Sequence, residues 1–292
     1  MKARRRIDLE VRVLPAAWCA DGYAPDAVEE TALAKIYRHP LSHVALRRAG
    51  EEALLEEMDR SGIGTAVVRA LAWRDPERCR AHNRFLADLV RRHPDRFLAI
   101  GILPPPREIM PRDAVREMIE ELGLAGVELI PSWQRYKLDD AVVEPALAEA
   151  ERLGAPAAVE VDHMIHSPDR ADTAHSALVV AERHPGLKMI VAHLGGLLCL
   201  YGLNDDVRPK LANMLFVTSV PRTPRWIWYA ADAIGPRQVA FGSDFPFNVS
   251  STQSHLLGEI EALPFTETDR ALVLGGNAAR FLGLETDGSN LP

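Results

Sequence analysis

Met189-Ile190-Val191-Ala192-His193-Leu194-Gly195-Gly196 is an apolar run that ends on an imidazole and then breaks at a glycine pair. Val239-Ala240-Phe241-Gly242-Ser243-Asp244-Phe245-Pro246 repeats that plan with a carboxylate in place of the imidazole. Short apolar runs bounded by glycine or proline read as strands buried on both faces, the kind found in parallel sheets. An ionisable residue at the end of such a strand reads as a site residue on the rim of a barrel. A third run, Ile7-Asp8-Leu9-Glu10-Val11-Arg12-Val13, carries charge within the strand itself.

Working outward, strand candidates fall at 6–13, 64–71, 97–103, 125–130, 156–161, 187–192, 214–219 and 238–243. Helical patterns lie between them at Glu77 to His93, Pro111 to Leu122, Val142 to Leu153 and Thr173 to His184. Alternating strands and helices predict an α/β fold, a parallel (β/α)8 TIM barrel. An open doubly wound sheet is the weaker reading, because no Gly-x-Gly-x-x-Gly turn follows a strand. Residues 1–285 read as one barrel domain, and 286–292 as a frayed tail. The stretch 14–62 exceeds a simple crossover and is expected to form a lid insertion over the barrel mouth.

Length and charge limit the function. A chain of 292 residues with 47% hydrophobic and 26% charged residues is ample for one large core. Its net charge of −7 argues against nucleic acid as a partner. The basic Lys2 to Arg6 is read as a solvated flank. No apolar run is long enough to span a bilayer and no secretory leader is visible, so no membrane partner is expected. Cys19, Cys79 and Cys199 have no metal-type spacing and suit a reducing cytoplasm.

Strand parity brings five side chains to one mouth: Glu10, Glu128, Glu160, His193 and Asp244. By the same parity, Asp8, Glu10 and Arg12 would share a face, with Asp8 deeper in the barrel as a structural partner. Carboxylates buried this close repel one another unless protons or a cation intervene. A metal site, mononuclear or dinuclear, is the simplest resolution, and several carboxylates with one histidine favour iron or manganese over zinc. Glu128 has a second reading, as an ion-pair partner of Arg69 or Arg12. Trp18, His163, His166, Cys199 and Arg222 are candidate substrate contacts. For the two histidines and Arg222 the alternative is a surface position, and for Cys199 a packed neutral thiol.

His193-Leu194-Gly195-Gly196, Phe241-Gly242-Ser243-Asp244-Phe245-Pro246 and Leu274-Gly275-Gly276-Asn277-Ala278-Ala279-Arg280-Phe281-Leu282 resemble the amidohydrolase superfamily. The similarity is to the branch holding aminocarboxymuconate semialdehyde and resorcylate decarboxylases. His93-Pro94-Asp95-Arg96-Phe97 and Leu153-Gly154-Ala155-Pro156 extend it over nearly the whole chain. The resemblance implies a (β/α)8 barrel whose metal is held by a strand-one His-x-His, a strand-five His, a strand-six His and a strand-eight Asp. Only His193 and Asp244 match; Glu10 and Arg12 replace the paired histidines, and Glu160 replaces the strand-five one. That carboxylate-rich set resembles amidohydrolase-fold non-haem di-iron monooxygenases of platensimycin- and platencin-type diterpenoid biosynthesis.

The expectation drawn from it is a dinuclear iron monooxygenase of secondary metabolism. It would use two Fe ions, O2 and an electron donor to hydroxylate a hydrophobic small molecule such as a terpenoid acid or acyl thioester. Glu10, Glu128, Glu160, His193 and Asp244 would be the ligands, with Glu128 or Glu160 bridging, and Arg12 would be a neighbouring charge or substrate anchor. The alternative is a hydrolase or decarboxylase holding one Zn or Mn, with Asp244 catalytic. A further alternative is a metal-free pseudoenzyme or binding protein held by a Glu10–Arg12–Glu160 ion network. A homodimer is left open.

Overall fold

Eight short strands follow one another in sequence order within one parallel sheet: β1 (Arg6–Arg12), β2 (Ile63–Arg69), β3 (Phe97–Ile102), β4 (Gly126–Leu129), β5 (Ala157–Val159), β6 (Met189–Val191), β7 (Met214–Val217) and β8 (Val239–Ala240). The Leu9 amide donates to the Phe241 carbonyl at 2.9 Å, the Asp244 amide to Glu10 at 3.0 Å and the Arg12 amide to Phe245 at 2.7 Å. These bonds tie the end of β8 back to β1 and close the (β/α)8 barrel. The computed structural model describes residues 6–106, 110–161, 173–219, 224–249 and 251–284. Among them no helix is long and apolar enough to cross a membrane.

Local sequence explains the crossovers. The helix Pro76–Arg92 starts where Asp75 accepts a hydrogen bond from the Glu77 amide and proline takes the first turn, and it ends on Arg91 and Arg92. That order matches the polarity of the helix dipole. The insertion after β1 is shorter than expected. Its last helix, Glu51–Ser61, buries Leu54 and Met58 and packs on β2, so it is the ordinary crossover helix. Only 14–50 is additional chain, with the helices Ala16–Cys19, Thr31–Arg38 and Pro40–Arg47.

The barrel is filled by Ile7, Leu9, Val67, Ile100, Ala158, Ile190, Leu215 and Ala240. This corrects the expected parity of β1. Asp8 pairs with Ala66 and Val11 with Val68, so β1 advances three residues while β2 advances two. The extra residue is a bulge, and a bulge reverses which side chains face inward. Ile7 and Leu9 therefore fill the interior, while Asp8 accepts from Gln253 of the outer helix Gln253–Glu261 at 2.8 Å. Past the bulge, Glu10 and Arg12 turn into the mouth.

Gly242 makes room for that turn. A Cβ there would lie 2.2 Å from Val217 Cγ1 and 3.2 Å from Glu10 Cβ. Gly242→Ala is expected to cost about 1–3 kcal/mol by overpacking. Urea denaturation reads the loss, and an unchanged midpoint would mean that β7 and β1 can part at this point.

Candidate active site

The side chains at the mouth form a buried floor and an accessible rim. In the floor, Arg12 grips Glu128 through both nitrogens of its fork, Nη1 to Oε2 at 3.0 Å and Nη2 to Oε1 at 3.1 Å. Its Nη1 also donates to the Ala70 carbonyl. Arg69 lies 3.3 Å from Glu10 and 3.3 Å from Glu128, and donates to the Leu9 carbonyl at 3.0 Å. Arg12 Nη2 is 3.6 Å from Glu160 and 3.9 Å from Glu10. Relative exposure is 3% for Arg12, 1% for Glu128 and 0% for both Arg69 and Glu10, so the floor is sealed from solvent.

His193, Glu160 and Asp244 form the half-buried rim. His193 and Asp244 have φ of 55° and 57°, in the left-handed region that side chains rarely adopt. The Asp244 conformation is held by its amide bond to Glu10. The His193 amide donates to Ser219 Oγ at 3.1 Å. Strained backbone of this kind persists where surrounding structure enforces it, and it concentrates at functional sites. Ser219 also donates to Glu10 Oε2 at 2.5 Å and lies 3.0 Å from His193 Nδ1, so it joins floor to rim.

Electrostatics separates the two layers. Burial opposes charge on Glu10, yet Arg69, His193 and Arg12 hold its carboxyl below the usual range. Burial, reinforced by Glu10 and Glu128, raises Glu160 against the pull of His193 and Arg12. Burial and the negative charge of Glu10 push Asp244 up to about 7, although His193 opposes them. Burial works against the His193 imidazolium, but Glu10, Asp244 and Glu160 outweigh it and raise its pKa. The rim thus holds exchangeable protons, whereas the floor holds fixed charges.

A metal ion does not fit these side chains as they stand. Among the described residues, no three His, Cys, Asp or Glu side chains converge to hold one. Glu128, expected as a bridging ligand, is committed to the two arginines instead. Arg12 is too buried and too fully bonded to anchor substrate, which corrects that expectation. Glu10 Oε1 is buried with no hydrogen bond and relies on its ion-pair contacts alone.

Cys199 is packed away, its Sγ 4.0 Å from the Gly196 carbonyl and its thiol pushed up to about 11 by burial, so the neutral-thiol reading stands. Trp18 is half-buried and lies edge-on to Trp73 at 4.7 Å and to His82 at 5.1 Å. His163, His166 and Arg222 lie outside the described residues. Ser219 was missed in the sequence, although it follows β7 on the inward parity of Leu215 and Val217. Arg69 was considered only as a partner for Glu128, yet it also neutralises Glu10.

His82 links the insertion to the barrel wall. Its Nε2 donates to the Val13 carbonyl at 2.9 Å while Nδ1 accepts from the Leu71 amide at 3.1 Å, a pattern that requires the neutral ring. Burial lowers its pKa from 6.5 to about 4. The unfolded chain therefore binds this proton more readily than the fold does. Stability should be complete above pH 6.5 and fall by roughly 3 kcal/mol as the pH drops towards 4. His82→Gln should flatten that acid limb in denaturant titrations run at both ends of the window. An equally steep limb in the variant would assign the loss to other groups.

The chain belongs to the amidohydrolase family, whose model matches residues 36–284. Among its curated relatives is 2-amino-3-carboxymuconate-6-semialdehyde decarboxylase of Dictyostelium discoideum, 26% identical over 275 residues, with 80% of this chain and 76% of the relative covered. Among solved structures, 5-carboxyvanillate decarboxylase of Sphingomonas paucimobilis superposes with a TM-score of 0.79 at 18% identity, covering 97% of this chain and all of the other. A dihydroxybenzoic acid decarboxylase of Polaromonas sp. JS666, solved with bound manganese and 2-nitroresorcinol, gives 0.76 at 20% identity over 96% of this chain and 97% of the other.

These relatives overturn the expectation of a di-iron monooxygenase acting on terpenoids with O2 and an electron donor. They are decarboxylases, and the manganese belongs to a decarboxylase. The feature that suggested two irons was the excess of carboxylates, and Arg12 and Arg69 already neutralise the floor.

Proposed function

We propose that this chain is a decarboxylase of small unsaturated carboxylic acids. The observation that carries the reading is the position of the Asp244 carboxyl, held on the half-buried rim in left-handed backbone by its amide bond to Glu10, where burial and the charge of Glu10 push it up to about 7. Replacing a carboxylate by hydrogen needs a proton donor at the carbon that loses CO2. Neutral Asp244 would give its proton to that carbon. The bond to the carboxylate then breaks, its electron pair returns to the unsaturated system, and CO2 leaves. Asp244 remains as a carboxylate and regains a proton from water, with His193 as the neighbouring proton store. An acid is converted to the decarboxylated product and CO2 with the uptake of one proton, so no oxidant or reductant is required. A carboxyl that titrates near neutrality can give or take a proton; the similarity to decarboxylases is what favours the proton-donor role over a hydrolytic one.

The decarboxylases to which the chain is similar support the substrate class, since each substrate in their names is an unsaturated acid. Residues 14–50 are the part of the chain suited to act as a lid, with Trp18 packed on Trp73 just after β2. The test is CO2 release from a panel of hydroxybenzoates and muconate-type acids across pH. Turnover should fall as the pH rises through about 7, following loss of the Asp244 proton. No CO2 from any of these acids, or turnover that increases through that point, would overturn the reading.

A further inference from the structure

The floor carries two carboxylates, Glu10 and Glu128, in full burial, and Glu160 approaches from the rim. A divalent ion would bring two positive charges to such a cluster. Arg12 and Arg69 bring the same two charges on side chains that stay protonated at any accessible pH. Arg12 bonds Glu128 through a planar fork, the strong geometry for a guanidinium and a carboxylate, and its Nη2 faces Glu10 and Glu160. Arg69 closes the far side against Glu10 and Glu128. Glu10, Glu128 and Glu160 each already have a guanidinium within 4 Å.

We propose that the paired guanidinium groups of Arg12 and Arg69 take the place of a divalent metal ion, so that this member of the family folds and works without metal. The arginines are positioning residues: they hold Glu10 and Glu128 together and fix the charge beneath His193, Glu160 and Asp244. The inference goes beyond the proposed decarboxylation and does not depend on it, because its main readouts need no substrate.

Full-length protein would be produced in medium supplemented with manganese, iron and zinc, and its metal content measured by plasma mass spectrometry. Substoichiometric metal, no heat of binding on titration with Mn2+ or Zn2+, and a Tm unmoved by EDTA are expected. One equivalent of any of these metals, removable by EDTA with a fall in Tm, would overturn the proposal. Arg12→Ala adds a second arm. Vacating the guanidinium should leave the carboxylates in need of a cation, so this variant should bind Mn2+ and gain Tm from it. A folded variant indifferent to Mn2+ would also overturn it, since Arg12 would then not stand where a cation is needed. If Arg12→Ala does not fold, the same arm is run with Arg12→Gln, and the wild-type metal content and melts still decide the question. Decarboxylation that survives EDTA would agree with the proposal, whereas a protein with neither metal nor CO2 release would overturn only the functional reading.

Discussion

Arg12→Ala, measured in EDTA, is expected to lower stability by about 3–5 kcal/mol, because it leaves buried Glu128 without its two-point partner. In a domain of this size that corresponds to a drop in Tm on the order of 10 °C. The exposed pair Arg47–Asp21, at 2.6 Å with side chains 55% and 74% exposed, provides the control. Arg47→Ala should cost no more than about 1 kcal/mol despite its shorter contact. The contrast arises from desolvation: at the surface water replaces the lost partner, whereas in the floor nothing does. Combining Arg12→Met with Glu128→Gln should recover part of the loss, because no full charge is then left unpaired at that point. Equal small losses at Arg12 and Arg47 would mean that water reaches the floor.

Asp244→Asn is expected to reduce turnover by about 10²- to 10⁴-fold, the usual contribution of a positioned proton donor. Asparagine keeps the size of the side chain, tolerates left-handed backbone, and preserves the amide bond to the Glu10 carbonyl. The loss should therefore appear in kcat, with KM little changed. Stability should hold or increase, because the substitution removes one of the carboxyl groups crowding Glu10 and Glu160. Functional sites commonly carry this trade, in which a group useful for chemistry is unfavourable for the fold. Turnover within about tenfold of the native chain would place the proton donor elsewhere on the rim.

If the proposed replacement of metal by guanidinium holds, the two layers account for it physically. His193 and Asp244 end β6 and β8 in strained conformations set by the barrel and by Ser219 and Glu10. The floor beneath them needs only to balance its charges, and guanidinium groups can do so as well as an ion. An arginine cannot exchange with solvent, so the balance is permanent.

Much of this was legible in the sequence. The eight apolar runs and their spacing specified a closed parallel sheet, because each strand is buried on both faces and the connections after β2 have the length of a helical crossover. The runs ending on His193 and Asp244 located the rim, since the end of a parallel strand is where a side chain leaves the barrel. The charge on β1 reads as a candidate site, and the pairing of Glu128 with arginine is one of the two readings the sequence allows. Other features depended on contacts between strands distant in sequence. The bulge between Asp8 and Val11 reversed the parity of β1, and only the register against Ala66 and Val68 reveals it. Ser219 and Arg69 took on roles through neighbours far along the chain. Whether the crowded carboxylates would be neutralised by metal, by protons or by arginine depended on where two guanidinium groups came to rest. Strand alternation, a local property, can place a residue on a face, but the sign and distance of its neighbours are set only when the barrel closes.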